Sequence, residues 1–300
     1  MSAERVRQQA RDRLADAGLS GSFLVRDLAT GEEIGLDPEA EYPIASLVKL
    51  PLAVAVAGRI QAGQLDGATV IEIRPAPTAA DGPGGLSRFR HPARIAVDDL
   101  LYLSTAVSDN AAADALFELV PPADVDRAVR EAGVSGISVR HPLRELTETP
   151  AGRFAPGEEF LAHALAIGAG TRGRGHAIGQ LDVSRANSGS ARAFADLLQA
   201  LWTPSRLPPA VACRVRSLMA GNMVRHRLAP DFSSDSSAWS SKTGTLLNLR
   251  HEVGVVEHED GGTYAVAALT ESRVPAAVQP AAEAVMAQVA RILHDHLRQS

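Results

Sequence analysis

The segment 46–63, SLVKLPLAVAVAGRIQAG, constrains the fold more than any other part of the chain. Its apolar residues fall on every side of a helix rather than on one face, which is typical of a buried helix. A buried helix needs other elements packed all round it, so the sequence predicts a large core with this helix inside. The same segment carries Lys49, a charged residue whose burial requires a reason.

Strands are predicted at both ends of the chain, with helices between them. Residues 2–17 repeat apolar positions at helical spacing, and residues 20–37 predict two strands around the turn ATGEE. Three further strands follow residue 238, before a final helix near the C-terminus. Residues 59–203 are predicted to be mostly helical.

This order of elements predicts an α+β fold. One antiparallel five-stranded sheet would be built from both termini and flanked by the terminal helices, with a helical lobe inserted between its two portions. Residues 1–45 together with 204–300 would form the α/β lobe, and residues 46–203 the all-α lobe.

Composition narrows the classes of partner. The net charge is −5, so there is no basic excess and nucleic acid is not an expected partner. No apolar run approaches the ~18–20 residues of a membrane span, and the N-terminus lacks the apolar core of a signal peptide. Cys213 is the only cysteine, so an internal disulfide is impossible. The histidines are scattered and, even counting His294 and His296, do not have the spacing of metal ligands. We therefore expect a monomer with no metal or other cofactor and no membrane partner, cytoplasmic as the sequence stands, or exported if a signal peptide has been trimmed from it.

Only two of the 30 basic residues are lysines, Lys49 and Lys242. Arginine cannot release its proton in a protein, whereas burial or a neighbouring cation tunes the pKa of lysine downward until it acts as a base. Ser46 lies three residues before Lys49, so on a helix both side chains project from one face. A Ser–Lys pair one turn apart at the start of a buried helix indicates an activated nucleophile.

The second lysine lies in the motif Lys242-Thr243-Gly244, which we place at the end of a strand. Its predicted role is electrostatic, beside a glycine that lets a ligand approach the backbone. A lone S-x-x-K motif is weak evidence, since an Arg-rich composition must place its few lysines somewhere. The third element, Ser108-Asp109-Asn110 at a break between two predicted helices, makes the combination specific.

These three motifs, SLVK, SDN and KTGT, resemble those of the class A serine β-lactamases and the related penicillin-binding proteins. The similarity extends to VDDLLYLSTAVSDNAAADAL around the second motif and to KTGTLLNLRHEVGVV after the third. The resemblance covers nearly the whole chain. It implies a β-lactamase/transpeptidase-like fold, an active site between the two lobes, and a small-molecule substrate that carries a carboxylate.

The resemblance also implies roles for the catalytic residues. Ser46 would be the acylated nucleophile, and Lys49 would help to deprotonate it. The hydroxyl of Ser108 would relay a proton to the leaving nitrogen, and Asn110 would bind the amide side chain of the substrate and Lys49. The backbone N–H groups of Ser46 and Thr245 would form the oxyanion hole.

Substrate binding is expected on the strand that carries the third motif. Lys242, Thr243 and Thr245 would hold the substrate carboxylate, while Gly244 keeps the strand edge open. Arg250 on the next strand is a candidate for a second cation, although a surface arginine would fit the sequence equally well.

The chain departs from the family where a β-lactamase needs a base for deacylation. The family places a glutamate some 34 residues beyond S-D-N, in the pattern E-x-x-L-N. Glu145 lies 145 − 110 = 35 residues past Asn110 and is the first candidate, and Glu148 is the second. Neither is followed by Leu-Asn, so both also fit solvated loop residues. Without such a base the acyl-enzyme would persist, as in a penicillin-binding protein.

A second departure is an insertion at residues 151–186, where GEEFLAHALAIGAG predicts an extra helix. It would act as a lid or acceptor-recognition element, or be a surface elaboration. Its Arg172, Arg174 and His176 would favour an anionic group if they are not simply solvated.

The sequence thus predicts a serine hydrolase that forms an acyl-enzyme at Ser46 and hydrolyses the amide of β-lactams. Two alternatives stay open. One is an amidase, esterase or D-amino-acid peptidase that shares the acylation machinery. The other is a sensor or binding protein that is acylated without turnover.

Overall fold

The computed structural model describes residues 2–75, 84–147, 154–155, 158, 160–169 and 175–299. Its centre is a five-stranded antiparallel sheet in the order β2-β1-β10-β9-β8, with strands from both ends of the chain as the sequence predicts. The strands are β1 (Leu19–Asp27), β2 (Glu33–Leu36), β8 (Ser237–Leu246), β9 (Leu249–His258) and β10 (Thr263–Ser272). The predicted α+β fold, with one five-stranded antiparallel sheet built from both ends of the chain, is therefore confirmed.

The terminal helices α1 (Ala3–Asp16) and α11 (Pro280–Arg298) pack against each other and against the sheet. Their apolar positions recur every three or four residues, as Val6, Ala10 and Leu14 do in α1, and these side chains are buried. Together with the adjoining face of the sheet they form one of two hydrophobic clusters.

The second and larger cluster lies on the other face of the sheet and surrounds α2 (Lys49–Gln61). Nine consecutive residues of α2, from Lys49 to Ala57, are buried, so the predicted all-round buried helix is confirmed. The described helices between the two portions of the sheet are α3 (Val97–Thr105), α4 (Asn110–Leu119), α5 (Pro122–Glu131), α6 (Arg144–Thr147), α7 (Phe160–Ala169), α8 (Ala191–Trp202), α9 (Pro209–Ala220) and α10 (Ala229–Phe232).

Two small antiparallel sheets were not predicted. In the first, β3 (Glu41–Pro43) pairs with β7 (Ser188–Ser190), which pairs with β6 (Ile137–Ser138). In the second, β4 (Val70–Ile73) pairs with β5 (Ala93–Ala96). Strands β4 to β7 have at most four residues each and lie within the segment predicted to be mostly helical, so the prediction missed them. Strand β3 is equally short and precedes that segment.

The division into lobes at residues 45/46 and 203/204 stays a prediction. Helix α8 lies within the predicted helical portion and packs against β1 and β10. Helix α9 follows the predicted boundary and contacts both α2 and β8. Within the described part of the chain, no helix combines the length and apolarity that crossing a bilayer requires.

Candidate active site

Ser46 lies in a single 3-10 turn, Ala45–Val48, that joins β3 to α2. The predicted helix therefore begins with this tighter turn, and its α-helical part starts at Lys49. Ala45 has a φ of +48°, an unfavourable value for a residue with a side chain, immediately before the serine. Such local strain persists only where the surrounding structure imposes it, and it is common beside reactive groups.

Two hydrogen bonds hold this turn from the side of β3. The N–H of Ile44 donates to the carbonyl of Asn187 at 2.9 Å. His251 Nε2 donates to the carbonyl of Pro43 at 2.9 Å, while its Nδ1 accepts from the N–H of Thr270 at 3.1 Å. Burial lowers the pKa of His251 to about 3, so the ring is neutral and its single proton lies on Nε2.

The third motif approaches the turn from the edge of the main sheet. Lys242 lies in the middle of β8 rather than at its end, and β8 is an edge strand. A Cβ built on Gly244 would lie 2.8 Å from the carbonyl oxygen of Ile44 and 3.1 Å from Leu47 Cγ. Gly244 is therefore needed for the contact between β8 and the Ser46 turn, a requirement that the sequence did not reveal.

The second motif occupies the connection between α3 and α4, where the sequence predicts a helix break. Asp109 caps α4, since its Oδ1 accepts from the N–H of Ala112 at 2.9 Å. The same oxygen accepts from the hydroxyl of Ser87 at 3.1 Å. Ser108 has a φ of +63°, a second strained non-glycine residue at the site.

Both lysine side chains converge on Ser108. Lys49 Nζ donates to the Ser108 carbonyl at 2.6 Å, to Asn110 Oδ1 at 2.6 Å and to Ser108 Oγ at 3.3 Å. Lys242 Nζ donates to Ser108 Oγ at 2.9 Å and to the carbonyl of Thr243 at 3.0 Å. Because Ser108 Oγ accepts from both nitrogens, its own proton remains available for donation into the cleft.

Burial sets the charge of the two lysines, which are both fully inaccessible to solvent. Desolvation lowers the pKa of Lys49 to about 7, although Asp109 and Asp114 favour its charged form. Desolvation, Lys49 and Arg227 lower the pKa of Lys242 well below its ordinary value. Near neutral pH, Lys49 therefore has a substantial neutral fraction and can act as a base.

A cleft of about 880 Å³ opens beside these groups. The predicted residues Ser46, Ser108, Asn110, Thr243 and Thr245 all line it. Ser46 is only partly buried, and it forms no hydrogen bond with Lys49 in the part of the chain that the structure describes. The structure thus gathers residues of all three motifs around one open space, which Ser46 lines.

Arg227 is a residue of this cleft that the sequence analysis missed, because nothing in the pattern distinguishes it from the other arginines. Its Nε donates to Glu283 Oε1 at 3.0 Å, its Nη1 to the carbonyls of Gly244 and His251 at 2.9 Å each, and its Nη2 to Thr245 Oγ1 at 2.6 Å. Of five N–H donors, four are thus used by described residues. The fifth N–H is on Nη2, the nitrogen that donates to Thr245, and both residues line the cleft.

Arg250, the predicted second cation, also lines the cleft and is buried. Its Nη1 donates to the carbonyls of Leu247 at 2.5 Å and Leu249 at 2.8 Å, and its Nη2 to that of Ala277 at 2.6 Å. Its Nε lies 3.6 Å from Glu283 Oε1. Arg250 is therefore largely occupied by backbone carbonyls, and its role with a ligand stays a prediction.

Glu145, the first candidate for a deacylation base, lies on α6, and its side chain is exposed. It is not among the described residues that line the cleft. Asp114 of α4 holds the start of α6, because its Oδ1 accepts from the N–H of Arg144 at 3.1 Å. The second candidate, Glu148, lies outside the described residues.

The predicted extra helix of the insertion is present as α7. His176 turns inward: it is buried, and its Nε2 lies 3.2 Å from the carbonyl of Ala166 in α7. It is thus neither solvated nor placed on the surface for an anion. Arg172 and Arg174 lie outside the described residues, and the role of the insertion stays a prediction. Among the described residues, no group of three His, Cys, Asp or Glu side chains is arranged to hold a metal ion.

Comparisons with known proteins agree on the family. The model of a family described as "Beta-lactamase enzyme family" matches residues 5–297. The β-lactamase regulatory protein BlaB of Streptomyces cacaoi is 63% identical over 310 residues, an alignment that covers 100% of this chain and 99% of the relative.

Two solved structures establish the similarity of fold. A β-lactamase from Chitinophaga pinensis has a TM-score of 0.77 at 21% identity, covering 98% of this chain and 99% of that chain. A variant of PBP-A, solved as an acyl-enzyme complex with penicillin G, has a TM-score of 0.76 at 17% identity, covering 99% of this chain and 97% of that chain.

Replacement of Lys49 by methionine is expected to stabilise the protein at low pH. The pKa of Lys49 is about 7 in the folded chain, against an ordinary value of 10.5. Below pH 7 the folded chain therefore buries an ammonium group that the unfolded chain keeps in water, which lowers the free energy of unfolding. This destabilisation disappears as the pH rises from 7 to 10.5, because the lysine then becomes neutral in the unfolded chain as well. Methionine also loses the hydrogen bonds that Lys49 donates to Ser108 and Asn110, which offsets part of this gain. We expect Lys49→Met to raise the free energy of unfolding by roughly 1–3 kcal/mol near pH 6.

Urea unfolding of both proteins between about pH 6 and 10 measures this difference. The difference in the free energy of unfolding between the variant and the wild type should shrink as the pH rises, because the wild-type lysine loses its charge in the folded state. A difference that stays constant with pH would contradict a lowered pKa at Lys49.

Replacement of Gly244 by alanine is expected to separate β8 from the Ser46 turn, since the new Cβ meets backbone that cannot rotate away. We expect a loss of about 1–3 kcal/mol in the free energy of unfolding. We also expect labelling of Ser46 by a fluorophosphonate to slow by at least about tenfold. Gly58→Ala is the control, because a Cβ at that position in α2 meets nothing within 4 Å. The control should be neutral or stabilising by up to ~1 kcal/mol, and equal effects of the two variants would refute the packing argument.

Proposed function

Because the chain belongs to the β-lactamase enzyme family, we propose that Ser46 is acylated by a carboxylate-bearing cyclic amide of the β-lactam type and that the acyl group is released slowly. The observation that supports acylation is that Lys49 and Lys242 both donate to the Ser108 hydroxyl, in a cleft that Ser46 and Ser108 both line.

Acylation can be written with the protons balanced. Neutral Lys49 takes the proton of the Ser46 hydroxyl as its oxygen bonds to the amide carbon. When the carbon–nitrogen bond of the amide breaks, Ser108 donates its proton to the leaving nitrogen. Lys242 or Lys49, both of which donate to Ser108 Oγ, then returns a proton to that oxygen. The two buried amines thus supply protons to, and take them from, the Ser108 hydroxyl that lies between them.

The carboxylate of the ligand finds its partners along β8. The hydroxyls of Thr243 and Thr245 and the remaining N–H of Arg227 line the same wall of the cleft. Hydroxyl and guanidinium donors suit a carboxylate, and a charged acceptor makes these hydrogen bonds shorter and stronger. This wall supports an anionic ligand rather than a neutral ester.

Slow release is supported by the carboxylates of the site. Hydrolysis of an acyl-enzyme needs a base that activates water beside the ester. Among the described residues that line the cleft, Glu283 is the only carboxylate, and it is engaged by Arg227 and Arg250. Glu145 is exposed on α6 and does not line the cleft. A long-lived acyl group would also suit a protein whose 63% identical relative is a regulatory protein.

Intact mass spectrometry of the full chain with penicillin G tests this proposal, with Ser46→Ala beside it. We expect an adduct on the wild-type protein, mapped to Ser46, that is still present after overnight incubation once free penicillin is removed. Ser46→Ala should stay unmodified.

Two other outcomes would contradict the proposal. A transient adduct with accumulating hydrolysed penicillin would make the protein a β-lactamase, the activity that the sequence predicts, and Glu145→Gln would then test the base. A complete absence of adduct would favour an amidase or esterase that acts on other substrates.

A further inference from the structure

Glu283 of α11 extends into the cleft, where it meets a wall of cations. Its Oε1 lies 3.0 Å from Arg227 Nε and 3.6 Å from Arg250 Nε. Its Oε2 lies 3.5 Å from His226 Nε2. Both arginine side chains are almost inaccessible to solvent, and the side chain of Glu283 is 11% exposed. These charges therefore interact with little screening by water.

The position of this carboxylate matters because the same arginine reaches the ligand-binding wall. Arg227 donates its Nε–H to the carboxylate of Glu283, and its Nη2 donates to Thr245. A ligand carboxylate bound at Thr243 and Thr245 would thus share this guanidinium with Glu283. Two like charges held on opposite sides of one cation repel each other, so each binds more weakly than it would alone.

The net charge around Glu283 also affects how the cleft binds a ligand carboxylate. The cluster of Arg227, Arg250 and Glu283 carries one net positive charge, which one ligand carboxylate can neutralise; Arg88 and His226 line the same cleft. Neutral hydrogen-bond acceptors would satisfy Arg227 Nε equally well, as the carbonyls of Gly244 and His251 do for its Nη1. Geometry alone therefore does not require a glutamate at this position.

We infer that Glu283 is a specificity-determining residue that weakens recognition of the ligand carboxylate by holding a fixed negative charge against the cationic wall. This inference rests on the proposed function of the same cleft. It makes the site selective for ligands with one negative charge near α11, and it sets the concentration at which such a ligand occupies the cleft.

The test is Glu283→Gln in a Ser46→Ala background, so that binding is measured without acylation. Glutamine keeps an acceptor for Arg227 Nε and removes the charge, with its amide nitrogen in the place of Oε2 beside His226. The ligands are penicillin G and its methyl ester, which differ in the charge of one carboxylate. Glu257→Gln is the matched control, because it removes the same charge from an exposed position on β9.

Titration calorimetry is expected to show that Glu283→Gln tightens binding of penicillin G by about tenfold. The affinity for the methyl ester should change by less than about twofold. Rising salt should reduce the gain for penicillin G, since added ions screen the ligand charge. The control variant should change neither affinity.

An unchanged ratio of the two affinities would overturn the inference. A parallel loss for both ligands would do so too, because it would show that Glu283 only supports the fold of the cleft. If the proposed function is wrong but this inference is right, the two experiments give different results. In that case the wild-type protein forms no adduct at Ser46, while the ratio of affinities in the Ser46→Ala background still responds to Glu283→Gln.

Discussion

Burial of the Lys49 side chain is the interaction on which the rest of the site depends. A primary amine without access to solvent is costly to hold in its charged form, and here it is held by the Ser108 carbonyl and Asn110 Oδ1. The same burial brings its pKa to about 7, where an amine can exchange protons at neutral pH. An arginine would pay the same desolvation cost without becoming a base.

The scaffold places the serine by contacts that come from distant parts of the chain. The turn that carries Ser46 is fixed from one side by His251 and the carbonyl of Asn187, and from the other by the close approach of Gly244. Positive φ values at Ala45 and Ser108 indicate that the surrounding structure imposes this arrangement. Preorganisation of this kind would favour the proposed acylation of Ser46. Hydrolysis of an acyl-enzyme would need a base, and the one carboxylate among the described cleft residues, Glu283, is engaged by two arginines.

Much of this was predictable from the sequence, and the limits have physical causes. The buried helix and the five strands of the main sheet follow from periodicity, whereas the convergence of the three motifs is what the resemblance to the serine β-lactamases implies. Arg227 and Glu283 were missed because Arg227 reaches the cleft from the loop before α10 and Glu283 from α11, and only the tertiary fold joins them. Arg250 was a candidate cation, but no pattern could show that carbonyls nearby would occupy it.

The most direct test of the account is the protonation of Lys49 itself. With only two lysines in the chain, selective ¹⁵N labelling of lysine gives two side-chain nitrogen signals, which Lys49→Met assigns. We expect the signal of Lys49 to titrate with a pKa of about 7 in the folded protein. A signal that stays that of an ammonium up to the ordinary value of 10.5 would show that Lys49 remains charged at neutral pH and cannot be the base that activates Ser46.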